Sequence, residues 1–156
     1  MTDREPPIPG TLLLHPVVFL SVAVILFNNE FLKVHHPGFW SGKLSDFGLC
    51  VFLPVWLFSC VEWATWATDA LRGRTFQKAP GGRATAAASC LIAGAYFTAL
   101  QVSPAFAAFH VHWLSYIVPH WSFAVTPDLS DLIALPLLFV AYALMVRRLR
   151  HTSSPL

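Results

Sequence analysis

The chain has 156 residues, of which 56% are hydrophobic and only 12% charged, and a formal net charge of +2. Soluble domains are about one quarter charged, so so much spare apolar surface calls for a lipid bilayer as the first partner, in one compact bundle spanning 1–156. The few scattered basic residues exclude nucleic acid.

Taken along the chain, the first apolar segment covers 11–29, interrupted only by His15, Pro16 and Ser21. It is not a cleavable signal: it lacks a basic n-region, and Phe27-Asn28-Asn29-Glu30 offers no small-residue cleavage site. The stretch "PGFWSGKLSDFGLC", residues 37 to 50, then sets Lys43 and Asp46 three positions apart at the mouth of a second apolar segment, 46–66. Glu62 is the one deep acid of that segment. The third segment, 84–105, carries no charge. The fourth, 129–146, has Asp131 near its start. Each approaches the roughly 20 residues that a helix needs to cross about 30 Å of hydrocarbon.

Between the third and fourth segments, Pro104 and Pro119 bound "AFAAFHVHWLSYIV", which is too short to span. It is expected to lie flat in the interface or to dip back as a re-entrant piece, in either case close enough to act as a lid. No period of 20 to 50 residues repeats, which rules out a solenoid. The predicted fold is all-α: a four-transmembrane-helix bundle with an interfacial or re-entrant segment between the third and fourth helices.

Orientation follows from the basic residues. Arg72, Arg74, Lys78 and Arg83 lie between the second and third segments, and Arg147, Arg148 and Arg150 follow the fourth. An even number of spans puts this loop and both termini on one side, and the positive-inside rule makes that side the cytoplasm. Trp63 and Trp66 then sit at the inner interface, and Trp40, Trp113 and Trp121 at the outer one.

The outer face gathers the polar residues. Glu30, Lys43, Asp46, Gln101, Asp128 and Asp131 converge there as a candidate binding cluster, with Asn28, Asn29, Lys33 and Ser103 nearby. Ionisable groups at the hydrocarbon edge are costly and tend to be functional. Lys43 paired with Asp46, and with Asp131 across helices, would make burial of these charges tolerable. Capping competes with this reading. In "TPDLSD", Thr126 would be the N-cap, Pro127 the first helical residue and the acids would meet the helix dipole. Asp46 would do the same for the second helix, with Ser45 or Ser41 as cap, and Lys43 would anchor in the headgroups.

Histidines raise a metal alternative. Five of the seven (His35, His36, His110, His112 and His120) fall on the outer side, and His15 and His151 on the inner. His110 and His112 would share a side if extended, but stand about 200° apart on a helix. Imidazoles with carboxylates suit zinc or copper, yet no HExxH or CxxC frame fixes the spacing, so the cofactor is left open. Cys50, Cys60 and Cys90 read as free packing residues. Glu62 is expected to pair with Arg72 or Arg74 at the inner interface.

The stretches "NNEFLK", "PGFWSGKLSDF", "LQVSP" and "TPDLSDLIALP" resemble the shared motifs of a group of small, uncharacterised four-helix bacterial membrane proteins. The resemblance covers the chain from the first helix to the fourth. It implies the fold and the bacterial inner membrane, and brings no activity with it. More distantly, the layout is similar to the VanZ-like family linked to glycopeptide resistance, which also places polar residues at the start of its second and fourth helices. That family shows Lys-x-x-His where this chain has Lys43 to Asp46, Glu-x-x-Gln where it has Gln101, and an Asp-to-Asn pair reduced here to Asp131. Three roles stay open: a bundle whose outer cluster binds an ion or a lipid-linked envelope molecule; an intramembrane enzyme at the outer leaflet with Asp46, Asp128 or Asp131 as acid-base groups; or an accessory subunit docked to a larger protein partner in the membrane. No nucleophile or complete metal frame is visible to favour the enzyme.

Overall fold

A computed structural model describes residues 8–36, 38–76, 81–119 and 124–153 of the chain, with side chains through Arg150. Lys78, His120, Trp121 and the side chain of His151, to which the sequence assigned positions, lie outside these described residues. Among the described residues the molecule is an all-α bundle with five helices: α1 (Pro16–His35), α2 (Phe39–Leu71), α3 (Arg83–Val102), α4 (Pro104–Ile117) and α5 (Leu137–Ser153). Four stretches among the described residues are long and apolar enough to cross a membrane: α1, α2, α3, and Leu129–Arg150, which joins a 3-10 turn to α5. The chain is therefore a multi-pass membrane protein by length and composition.

Local chemistry moves most boundaries by a few residues, while the fourth span still opens at Leu129. The first helix begins at Pro16 rather than at Thr11, because a residue before proline is pushed out of the helical region. His15 is extended at φ −64°, ψ 135°, and its ring accepts from the Val17 N–H as the N-cap. Thr11–Leu14 forms a separate 3-10 turn. At its other end α1 widens into a π turn over Asn28–Leu32, which carries the helix past residue 29 to His35.

The second helix starts at Phe39, seven residues before Asp46, and this overturns the capping role expected for that acid. Gly38 is the N-cap, and the Ser41 hydroxyl closes the turn by accepting from Gly38 N at 2.9 Å and donating to Gly38 O at 2.9 Å. At 33 residues, α2 is about 50 Å long at 1.5 Å per residue, well beyond the hydrocarbon thickness. Likewise α3 stops at Val102, since Ser103 precedes Pro104 and is extended at φ −114°, ψ 105°. Ser103 then caps α4 by accepting from Phe106 N at 3.2 Å.

The fourth span opens differently from expectation. Asp128, not Thr126, is its N-cap; the carboxylate accepts from Ser130 N at 2.8 Å and from the Ser130 hydroxyl at 2.7 Å. The Asp128 N–H is taken by Gln101 Oε1 at 3.1 Å, which holds Asp128 extended and delays the helix by two residues. Leu129–Ala134 is 3-10, and the α-helical pattern resumes only after Pro136, which has no N–H to donate.

Helix α2 is the hub and packs on α1, α3 and α5, while α3 also packs on α5. Two apolar clusters fill the space between them. One surrounds Phe58, Val55, Met145 and Leu144; the other joins Cys50, Phe97 and Ala134 toward the Lys43 end. In lipid, helix association rests on close packing rather than on expulsion of water, and glycines supply the approach. A Cβ on Gly48 would lie 2.6 Å from the Ser21 carbonyl of α1, and one on Gly94 would lie 2.8 Å from Leu138 of α5. The remaining faces are apolar and exposed, Phe19, Leu20, Leu91 and Phe139 among them. All three cysteines are free, as the sequence suggested.

Glu62 is buried but its partner is not the one expected. Arg148 Nε of α5 donates to Glu62 Oε1 at 3.1 Å, and Gly10 N donates to Glu62 Oε2 at 2.8 Å. Because α2 runs on to Leu71, Arg72 lies ten residues past Glu62, about 15 Å along the axis, while α5 runs alongside.

Candidate functional site

At the opposite end of the bundle the chain builds a polar pocket. Three adjacent elements bring the side chains there: the end of α1, the first two turns of α2, and the start of the fourth span, with Gln101 at the end of α3 behind them. The π turn lets two consecutive residues reach one partner. Asn28, fully buried, donates to Ser41 O and to Ser45 Oγ, each at 2.7 Å, while Ser45 Oγ donates to Asn29 Oδ1 at 2.9 Å. Widened turns of this kind recur at functional positions.

Lys43 is the centre of the charge pattern. Its residue is 3% exposed, so the interfacial-anchor reading does not hold. The ammonium donates to Asp131 Oδ1 at 2.5 Å and to Ser130 Oγ at 2.5 Å, and stands 3.7 Å from Asp128 Oδ2. It also lies 4.7 Å above the Phe39 ring, a favourable place for a cation. Of the two pairings open from sequence, the cross-helix one is made. Asp46 is half-buried, forms no ion pair among the described residues, hydrogen-bonds the Asp131 carboxyl, and has Lys33 and Lys43 as neighbouring charges. Position i+3 on the same helix places Asp46 beside Lys43, but the long lysine chain reaches across to the fourth span instead.

Asp128 is the exposed rim of the site. The Ser130 hydroxyl, and then the Ser130 N–H, hold its carboxyl below the usual carboxylate range. It is therefore a cap and an ion-pair partner at once.

All six residues of the sequence-derived cluster line one cavity of about 790 Å³: Glu30, Lys43, Asp46, Gln101, Asp128 and Asp131. Asn29, Lys33, Ser45 and the 124–126 segment also line it, with Gly38, Phe39 and Gly42 of the α2 start. Among the titratable lining groups, carboxylates outnumber ammonium groups, Glu30, Asp46, Asp128 and Asp131 against Lys33 and Lys43. Sequence reasoning offered Ser45 only as a cap and did not single out Ser130; Ser45 links Asn28 to Asn29, and Ser130 links Lys43 to Asp128. The Asp-x-Ser spacing at 128–130 was the available signal for the second.

His110 and His112 lie on α4, so they diverge around the helix. His110 Nδ1 meets the Tyr96 hydroxyl of α3, and the rings stand 5.6 Å apart at 74°. In the neutral tautomer that carries its proton on Nε2, Nδ1 accepts from the tyrosine. Burial lowers the pKa of His110 and so favours that neutral form. His112 is exposed. Among the described residues no three histidine, cysteine, aspartate or glutamate side chains group closely enough to hold a metal ion. Tyr96 also meets Phe106 with ring centroids 5.5 Å apart, so α4 folds back onto α3 beyond Ser103 and does not stand free as a lid. Compared with known proteins, the chain matches no family model, no curated protein and no solved structure.

Proposed function

We propose that this is a bacterial inner-membrane protein whose polar pocket binds a small cation or the cationic headgroup of an envelope molecule at the outer leaflet. The observation that carries the reading is the excess of carboxylates around the cavity: with Lys43 already held by Asp131 and Asp128, Asp46 and Glu30 face the same space as Lys33 alone. A site of this sign attracts cations and repels anions. Placing the pocket outside follows from the positive-inside rule, with both termini and the arginine-bearing loop in the cytoplasm. The hydroxyl and amide groups of Ser45, Asn29 and Gln101 would give orientation to a bound headgroup once charge has drawn it in.

Thermal-shift titrations of the purified protein in neutral detergent test this. Sodium, ammonium, ethanolamine and choline salts are compared with phosphate at matched ionic strength. Saturable stabilisation by at least one cation and none by phosphate is expected. Equal, unsaturable shifts with every salt would contradict a cation site.

A further inference from the structure

A second cavity, of about 490 Å³, lies at the Glu62 end and takes no part in the polar pocket. Two chain segments build it on the flank of α2. On one side Gly73, at φ +66°, turns the chain back after α2, as a residue past a helix end commonly does in this left-handed conformation. Arg74 N is then bonded to Asp69 O at 2.8 Å, and Phe76 is buried. On the other side Ile8 and Pro9 are tied down by the Trp63 Nε1 donation to Pro9 O at 3.2 Å and by Gly10 N on Glu62. A Cβ at Gly10 would lie 2.7 Å from the Trp63 ring, so this strap is seated tightly.

The floor between these walls is Trp63 and Trp66, one turn apart and 45% and 50% exposed. Arg74 and Thr75 stand at its rim. Among the described residues no carboxylate lines the cavity and Arg74 makes no ion pair. The one buried acid close by, Glu62, is already neutralised by Arg148. Among the described residues the sequence places Arg72, Arg74, Arg83, Arg147, Arg148 and Arg150 toward this end, with Glu62 and Asp69 as the acids of the same stretch. The cavity thus joins an indole floor, of the type that settles at the membrane–water boundary, to a cationic rim at the end of an apolar span.

We propose that this cavity holds an anionic phospholipid of the surrounding bilayer. Its phosphodiester would lie on Arg74 and the Thr75 hydroxyl, and its glycerol and first acyl carbons against Trp66 and Phe76. Basic pockets at the ends of membrane spans suit such headgroups, and the guanidinium matches a phosphate geometrically. Lipid rather than a soluble phosphate is the occupant because the two indoles offer the apolar half of the ligand a surface facing the bilayer.

The test reads tryptophan fluorescence of the protein in phosphatidylcholine vesicles doped with brominated phosphatidylglycerol or, at equal fraction, with brominated phosphatidylcholine. Stronger quenching by the brominated phosphatidylglycerol is expected. Trp66→Phe should remove most of the difference. Arg74→Gln should lower the preference about fivefold, the equivalent of about 1 kcal/mol for one basic residue near an anionic surface, and Arg83→Gln should leave it in place. Thr75→Val, which keeps the shape of the rim, should weaken it in the same direction as Arg74→Gln. Equal quenching by the two lipids would overturn the site. Equal losses from Arg74→Gln and Arg83→Gln would reduce it to general surface attraction, and abolition of the difference by soluble glycerol 3-phosphate would make the ligand a free phosphate.

Discussion

Lys43 Nζ and Asp131 Oδ1 are 2.5 Å apart although 88 positions separate them in the chain. The contact locks the second turn of α2 to the first turn of the fourth span, with both side chains almost removed from solvent. Leaving one buried charge without its partner is far costlier than removing both. Asp131→Ala should therefore lower the melting temperature in detergent more than Asp69→Ala does. Lys43→Met combined with Asp131→Leu should recover part of that loss, with a coupling that a double-mutant cycle reads directly. Strictly additive losses would show that the pair contributes nothing as a pair.

The second buried pair gives a comparison at the other end. Arg148 supplies Glu62 Oε1 with its ion-pair partner and ties Thr11 and the Ile8 carbonyl to α5. Arg148→Met should destabilise the protein by about 3–5 kcal/mol in denaturation experiments, whereas Arg147→Met, on an exposed position, should change stability by less than about 0.5 kcal/mol.

Glycine substitutions separate close packing from local helix propensity. Gly48 meets the backbone of α1, which cannot rotate away, while a Cβ on Gly42 meets nothing within 4 Å. Gly48→Val should cost about 1–3 kcal/mol through forced separation of α1 and α2. Gly42→Ala should be neutral or stabilising by about 0.5–1 kcal/mol, since alanine restricts the unfolded chain and favours the helix.

Much of this was legible in the sequence. Hydropathy and length gave the four spans, because a bilayer imposes both on any crossing helix. Convergence of Glu30, Lys43, Asp46, Gln101, Asp128 and Asp131 followed from alternating chain direction, which brings the end of α1, the start of α2, the end of α3 and the start of the fourth span to one side. The partners within each end were not legible. Lys43–Asp131 was one of the two pairs the sequence offered, but that Lys43 makes it and not the pair with Asp46, and that Glu62 turns from the nearby arginines to Arg148, depend on how helices are rotated about their axes. Sequence spacing fixes neighbours on one helix and says little about that rotation. The cap at Asp128 was missed for a similar reason, since it depends on Gln101 reaching the Asp128 N–H from another helix.

The contact between Tyr96 and His110 leads to a pH dependence. Burial depresses the His110 pKa from its ordinary 6.5, so the unfolded chain takes up the proton more readily than the folded one. Stability from this group is full above about pH 6.5 and is lost as pH falls toward the folded-state value. The melting temperature should drop on acidification from neutral pH, and His110→Gln should flatten part of that slope. An unchanged slope would remove His110 from the effect.

Threading is tested by reporter fusions. Fusions after Gly82 and after Ser153 should both report from the cytoplasm, and one after Val118 from outside. An external signal at Gly82 would invert the molecule and move the polar pocket to the cytoplasmic leaflet.

The central claim is that the pocket uses charge for a ligand and not only for folding, and Asp46 isolates the two. Asp46 lines the cavity but caps no helix and holds no ion pair among the described residues. Asp46→Asn preserves shape and the capacity to hydrogen-bond Asp131 while removing the ionisable carboxyl, so its effect on folding should be small while its effect on cation binding should be large. The decisive measurement is the cation-dependent melting shift of Asp46→Asn beside that of the unaltered protein. An unchanged melting temperature without cation, together with at least a tenfold weaker response to the cation that stabilises the parent (about 1.4 kcal/mol of lost binding), is the expected result. A full response to that cation in the variant would contradict the account and leave the polar cluster as a staple between helices.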